Sequence, residues 1–269
     1  MASVFFVAQG GLGNQLFQAA FGIAIEETFG ADVCFISDVV TSSDGYGRRY
    51  QLDAFPRLKG KTVRMADVAG LPLIVKLGGD RAWLADLLQQ HASVVFQGWW
   101  QNEQNFLGCD AAIRAAFLAG AYPARAQAAA ELRQSGAIGM HVRRFEYGQC
   151  GLVTVDYYLK AIETIRREVG PVPVVCFTDE PNFCLNVFRN VANFVIMRPN
   201  IEWPVGDLIL MSHCRHFVIA NSTYSWWAAW LGETEGSIVY SPLPWNGLRP
   251  DPTPAPDRWR RIENAVRAP

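Results

Sequence analysis

Residues 141–144 read His-Val-Arg-Arg and close a short apolar run that starts at Ile138. A histidine and two arginines at the carboxyl edge of a buried strand suit the binding of an anion. A guanidinium is a planar fork that grips two phosphate oxygens at once and keeps its charge. The competing reading of these four residues is a solvated basic patch at a strand end. Two further apolar runs end in polar clusters: residues 172–177 lead into Thr178-Asp179-Glu180, and residues 216–220 lead into Asn221-Ser222-Thr223. In a parallel α/β sheet, ligands bind outside the carboxyl ends of the strands. Three polar strand ends in one half of the chain therefore favour a ligand site over a surface patch.

The stretch Asn221-Ser222-Thr223-Tyr224-Ser225 reads as a strand-to-helix turn. Its hydroxyls and the first amides of the helix could hold a phosphate. Ordinary N-capping by Ser222 or Thr223 is the alternative. A second turn of this kind, Gly10-Gly11-Leu12-Gly13-Asn14, follows the first strand. It is not a dinucleotide fingerprint: Leu16 stands where the third glycine belongs, and Asp32 opens the next strand instead of ending it. Asn14 and Gln15 add amide donors and acceptors to that turn. Glu146 lies two residues past the arginine pair. It is either an ion-pair partner or a base that takes a proton from an attacking hydroxyl. Asp156, at the start of a helix, is a second base candidate. Trp226, Trp227 and Trp230 have the spacing of a buried helix face. His213 and His216 are read as a surface turn, not as metal ligands.

The elements that position these residues alternate. Strands are expected at 3–8, 33–36 and 94–97, with a helix over 15–28, a polar loop over 41–50 and one or two helices over 66–90. Helices follow at 109–119 and 124–135. The second is rich in alanine and is read as a surface linker between two halves. Strands at 138–142, 172–177, 194–197, 216–220 and 238–241 then alternate with helices at 155–169, just after 180, at 205–214 and at 224–231. The proline-rich stretch 242–256 is expected to be irregular. This is α/β patterning. The expected domains are residues 1–135 and 136–269.

Composition narrows the function. The chain has 269 residues, half of them hydrophobic and 18% charged, which indicates globular structure. A net charge of −1 argues against a general nucleic-acid binder. No apolar run reaches the roughly 18–20 residues that span a bilayer. The first residues lack the basic segment of a signal peptide and read as a strand. A peripheral membrane association stays compatible with this. Six scattered cysteines without a C-x-x-C pair suggest reduced thiols in a cytoplasmic protein, and no metal-ligand spacing is present.

Five stretches, GGLGNQLFQAAFG (10–22), HVRRFEYG (141–148), DYYLKAIE (156–163), FTDE (177–180) and HFVIANSTYSWWAAWLG (216–232), come in a familiar order. Together they resemble the bacterial α-1,2-fucosyltransferases of glycosyltransferase family 11. The resemblance covers nearly the whole chain and is thinnest over residues 40–90. It implies a GT-B architecture, two Rossmann-like domains facing across a cleft. It also implies inverting transfer of L-fucose from GDP-β-L-fucose to the 2-hydroxyl of a terminal galactose, without metal or cofactor. By the same resemblance Arg143, with His141 beside it, contacts the pyrophosphate. Ser222, Thr223 and Tyr224 hold the β-phosphate, Asp207 contacts the nucleoside, and Gly13 and Asn14 reach the donor from the N-terminal side. Arg143 and Glu146 are the expected catalytic pair. One departure stands out: the family usually has Gly-Asp where this chain has Phe145-Glu146. That lengthens the carboxylate arm by a methylene and removes the backbone freedom of glycine. The acceptor is expected in the N-terminal half, with Trp99, Trp100 and the 41–50 loop as candidates.

Three other readings compete. A transferase of other linkage or donor shares every feature above. A Rossmann-type oxidoreductase is disfavoured by the missing third glycine. A non-catalytic sugar-binding module fits the nine tryptophans but leaves the arginine pair and the hydroxyl turn without a purpose.

Overall fold

The computed structural model describes residues 2–40, 48–76, 82–119, 125–144, 151–198, 200, 203–246 and 253–264. The chain forms two compact units, Met1–Ala121 and Tyr122–Pro269. Each is a parallel sheet flanked by helices.

The first unit contains β1 (Ser3–Val7), α1 (Leu12–Phe29), β2 (Asp32–Ile36), β3 (Thr62–Val63), β4 (Leu73–Val75), α2 (Ala82–Gln90), β5 (Ser93–Gln97) and α3 (Asp110–Leu118). Its strands are parallel, in the order β3-β2-β1-β5-β4. The left-handed turn at Gly10 (φ 72°) lets α1 begin at Leu12, a turn earlier than its apolar spacing suggests. From Leu12 to Ile25 nearly every residue of α1 is buried, so it is a core helix rather than a surface one. Phe6, Phe21, Phe96 and Trp100 interlock beneath it, edge-on or tilted in most pairs. The helices expected over 66–90 are only partly present. A 3-10 turn at Met65–Val68 and the strand β4 occupy the first part, and α2 the last. Short apolar runs such as Leu73-Ile74-Val75 carry no period that separates strand from helix.

The second unit opens with α4 (Ala126–Ser135), the alanine-rich helix read as a linker between two halves. Then come β6 (Ile138–Val142), α5 (Val155–Val169), β7 (Val174–Thr178), α6 (Pro181–Val187), β8 (Phe194–Met197), α7 (Pro204–Met211), β9 (His216–Val218), α8 (Thr223–Gly232), β10 (Val239–Leu243) and β11 (Arg260–Glu263). All six strands are parallel, in the order β11-β10-β9-β6-β7-β8. Counted from β8, this is the doubly wound order 3-2-1-4-5-6, and it reverses between β6 and β9. β11 lies beyond the expected last strand. Only Ile262 of its four residues is buried, so it shows no alternating pattern to read.

Helix α5 shows how the unit is built. Tyr157, Tyr158, Ala161, Ile162 and Ile165 form its buried stripe. The Thr154 hydroxyl accepts from the Tyr157 amide at 3.4 Å, while Asp156 in the first turn and Arg166 and Arg167 in the last complement the helix dipole. Trp226, Trp227 and Trp230 are buried and pack on one another and on Trp259, as their spacing predicts. Cys34, Cys109, Cys176, Cys184 and Cys214 are free thiols; Cys150 lies outside the described residues. The reading of His216 as part of a surface turn is corrected. It is buried at the start of β9, and its Nδ1 accepts from the Ile238 amide at 3.1 Å, joining β9 to the entry of β10. Among the described residues no helix is long and apolar enough to cross a membrane.

The Tyr157 hydroxyl lies 2.8 Å from the Ile219 carbonyl and 2.9 Å from that of Tyr240, sharing one proton between two chain segments just past β9 and within β10. Replacing Tyr157 with Phe should take this donor from the Ile219 carbonyl, while the Tyr240 carbonyl keeps the Ile219 amide at 3.0 Å, and cost about 1–3 kcal/mol. Urea unfolding of the variant should show a lower midpoint with an unchanged slope.

Candidate functional site

The reversal of strand order in the second unit gathers the polar strand ends. β6 pairs with β7 on one side and β9 on the other, so the residues following all three strands share one carboxyl edge. His141, near the end of β6, is only 6% exposed, and its ring centroid lies 5.4 Å from that of Tyr224 in the first turn of α8. Its Nδ1 is buried and has no hydrogen-bond partner among the described residues. Burial and the neighbouring Arg143 charge push its pKa down to about 3. The imidazole is therefore neutral near pH 7, and the positive charge at this edge belongs to Arg143.

Arg143 is braced from β7. Its Nε lies 3.3 Å from one Asp179 carboxylate oxygen, and the other accepts from the Arg144 amide at 3.1 Å. One carboxylate thus orients the arginine side chain and fixes the backbone beside it. Thr178 prepares this turn by accepting from the Glu180 amide at 3.0 Å. Of the polar cluster after β7, Asp179 is the member with a clear part at the site. Arg144 goes elsewhere: its guanidinium sits 3.8 Å from the Phe183 ring centroid, a cation–π contact. It borders a cavity of about 570 Å³ together with Thr154, Asp156, Tyr157, Lys160 and Glu263. Asp156 is therefore placed with Arg144, and neither His141 nor Arg143 lines that cavity.

Past β9, Asn221 donates to the Gly151 carbonyl at 3.1 Å. Ser222 occupies the N-cap position of α8 in extended conformation, yet its side chain makes no capping hydrogen bond. Capping therefore does not account for the Ser222 hydroxyl. The Tyr224 hydroxyl donates to the Pro204 carbonyl at 2.8 Å and ties α8 to the start of α7, leaving its ring beside His141. Asp207 on α7 is nearly buried. One oxygen pairs with Arg125 at 3.0 Å and the other accepts from the Asn200 amide at 2.6 Å. Arg125 carries no motif and was not foreseen. Phe145 and Glu146 lie outside the described residues. Among the described residues no three His, Cys, Asp or Glu side chains gather as metal ligands would.

In the first unit the strand order changes between β1 and β5, and the glycine turn follows β1 there. Gly13 is buried in the first turn of α1. The Asn14 Oδ1 accepts from Gln101 Nε2 at 2.8 Å. Gln15, fully buried, donates to the carbonyls of Gly10 and Arg49, both at 2.9 Å, and accepts from the Gln51 amide at 2.9 Å. Gln18, also buried, accepts from the Gln9 amide and donates to the Gly98 carbonyl. Gln15, read as a ligand amide, is thus an internal clasp. Two glutamines on the buried face of an apolar helix signal this, because buried amides must find partners.

The chain resembles known proteins in sequence and in fold. Residues 87–245 match the model of "Glycosyl transferase family 11", which is more than half of the chain. The chain is 39% identical over 114 residues to the Escherichia coli O-antigen biosynthesis glycosyltransferase WbnK, covering 39% of this chain and 38% of that protein. It is 29% identical over 191 residues to an E. coli alpha-1,2-colitosyltransferase, covering 64% and 63%. It is 30% identical over 117 residues to the Oryctolagus cuniculus galactoside alpha-(1,2)-fucosyltransferase 2, covering 40% and 32%. The matches thus take in between about a third and two thirds of the length of these relatives. Among solved structures, E. coli heptosyltransferase WaaC with ADP aligns over 97% of this chain and 93% of its own, with a TM-score of 0.53 and 11% identity, which speaks to the fold alone. The two parallel-sheet units are of the GT-B class, and the chain belongs to glycosyl transferase family 11.

Proposed function

We propose that this glycosyltransferase moves L-fucose from GDP-β-L-fucose to the 2-hydroxyl of a terminal β-galactoside, with inversion at the anomeric carbon. One observation carries the reading. Where the strand order of the second unit reverses, a braced arginine, a neutral buried histidine and a helix start whose N-cap serine makes no capping hydrogen bond among the described residues share one sheet edge. That is a set of donors with an arginine among them, suited to a diphosphate. The names of the α-1,2-specific relatives support the linkage.

The bond that breaks joins the anomeric carbon to a β-phosphate oxygen, and GDP leaves with the electron pair. Arg143 and the first amides of α8 would stabilise the charge growing on that oxygen. The fucosyl carbon becomes oxocarbenium-like, as in glycoside hydrolysis. The galactoside 2-hydroxyl attacks from the opposite face, and Glu146 takes its proton. His141, being neutral, would offer one ring nitrogen as donor or acceptor without altering the charge balance. Asp207 would serve the nucleoside while also holding Arg125 and the Asn200 amide, since a carboxylate has about four acceptor positions. Neither metal nor cofactor enters this scheme. The free thiols fit a reducing compartment such as the cytoplasm.

The colitosyltransferase relative favours a second reading, the same chemistry with a colitose donor. Competition between GDP-fucose and GDP-colitose, with NMR of the product linkage, separates the two.

Three outcomes are expected. Arg143→Ala should lower kcat roughly 100-fold, the loss typical of removing one oxyanion donor. Turnover near wild type, followed as GDP release, would refute the role of Arg143. Glu146→Gln should fold normally and lose transfer; full activity would exclude it as the base. His141 bears on stability. An ordinary histidine titrates near 6.5, and this one is pushed down to about 3. Between those values the unfolded chain binds a proton that the folded chain does not, so stability falls as pH drops through that window. His213 and His216 are also shifted down by burial and act in the same direction. Melting temperatures of His141→Asn should therefore fall less steeply between pH 6.5 and 4 than those of wild type. Parallel slopes would show that His141 is not held neutral.

A further inference from the structure

The segment Gly98-Trp99-Trp100 follows β5, beside the glycine turn that follows β1. Its two tryptophans have opposite fates. Trp100 is fully buried against Phe21 and Phe96. It has a left-handed backbone (φ 55°), and its buried indole N–H has no hydrogen-bond partner among the described residues. Both features are unfavourable for a bulky residue. Gly98 is equally constrained: a Cβ there would lie 1.9 Å from the Lys76 carbonyl oxygen. Within this strained corner Trp99 is 37% exposed. Strain of this kind persists where the surrounding structure over-determines it, and it concentrates at functional sites.

Trp99 is not isolated. Its ring edge and the Asn14 side chain both press on Gly10: a Cβ built there would come within 3.0 Å of Trp99 and 2.4 Å of the Asn14 Nδ2. Gln101 donates to Asn14 at 2.8 Å, and Gln9 donates to the Gly98 carbonyl at 3.1 Å. Arg48 lies over Gly11, its Nε 3.9 Å from where a Cβ would stand. An exposed indole edged by carboxamides is the chemistry that recognises a pyranose. The ring stacks on an apolar C–H face while the amides exchange hydrogen bonds with hydroxyls. Galactose suits it, because its axial 4-hydroxyl leaves the hydrogens on carbons 3, 4 and 5 on one face and keeps the 2-hydroxyl at the ring's edge.

We infer that Trp99, with Asn14 and Gln101, forms the shelf that binds the acceptor sugar, stacking the C3–C5 face of a galactoside. This rests on the galactoside reading above. The test uses the whole enzyme and methyl β-D-galactopyranoside. Saturation-transfer NMR of the wild type should concentrate on the protons of carbons 3, 4 and 5. Trp99→Ala should raise the acceptor KM by roughly tenfold or more, the donor KM should move far less, and Trp99→Phe should recover most of the loss. Saturation spread evenly over the sugar, or acceptor KM values unchanged in both variants, would overturn the shelf. Should Trp99→Ala fail to fold, the wild-type map and Trp99→Phe still decide. A wild type that fucosylates no galactoside at all would sink the functional reading; the NMR map then judges the shelf alone.

Discussion

The candidate donor site depends on one constraint, the reversal of strand order between β6 and β9. Parallel strands are joined by right-handed crossovers. A chain that builds β7 and β8 to one side of β6 and then β9 to β11 on the other must send its connections apart at the carboxyl edge. The segments after β6 and after β9 diverge there, and side chains fill the opening. His141, Arg143 and the start of α8 meet for that reason, although about 80 residues separate them in the chain.

The interactions around that opening divide into those that face it and those that shape it. Asp179, Tyr157 and the Tyr224 hydroxyl shape it: each joins neighbouring segments through a hydrogen bond or ion pair. The same division holds in the first unit. Gln15 and Gln18 clasp the glycine turn to the segments at 49–51 and at 98, the half-buried Asn14 accepts from Gln101, and Trp99 stands at the surface. In both units polar residues within the motifs act as fasteners.

This explains what was legible in the sequence. The strands of the second unit announce themselves as apolar runs that stop at polar clusters, and the buried stripe of α5 repeats at helical spacing. These patterns are local. β4 and β11 were missed because each lies at a sheet edge, where burial is partial and no period develops. The pairings of Arg125 with Asp207 and of Arg143 with Asp179 were missed for a different reason. They join residues distant in sequence, and nothing local distinguishes such an arginine from one facing water. His216 misled because a histidine beside a polar turn resembles a surface residue until its ring is found accepting from the Ile238 amide.

The corner at 98–100 bears on how such enzymes diverge. Gly98 is fixed by the Lys76 carbonyl and Trp100 by the aromatic core, so neither can change without disturbing the sheet. Trp99 lies between them and contributes little to that core. This one position can therefore change while the fold beneath stays intact. The rigidity of its neighbours makes residue 99 an evolvable position.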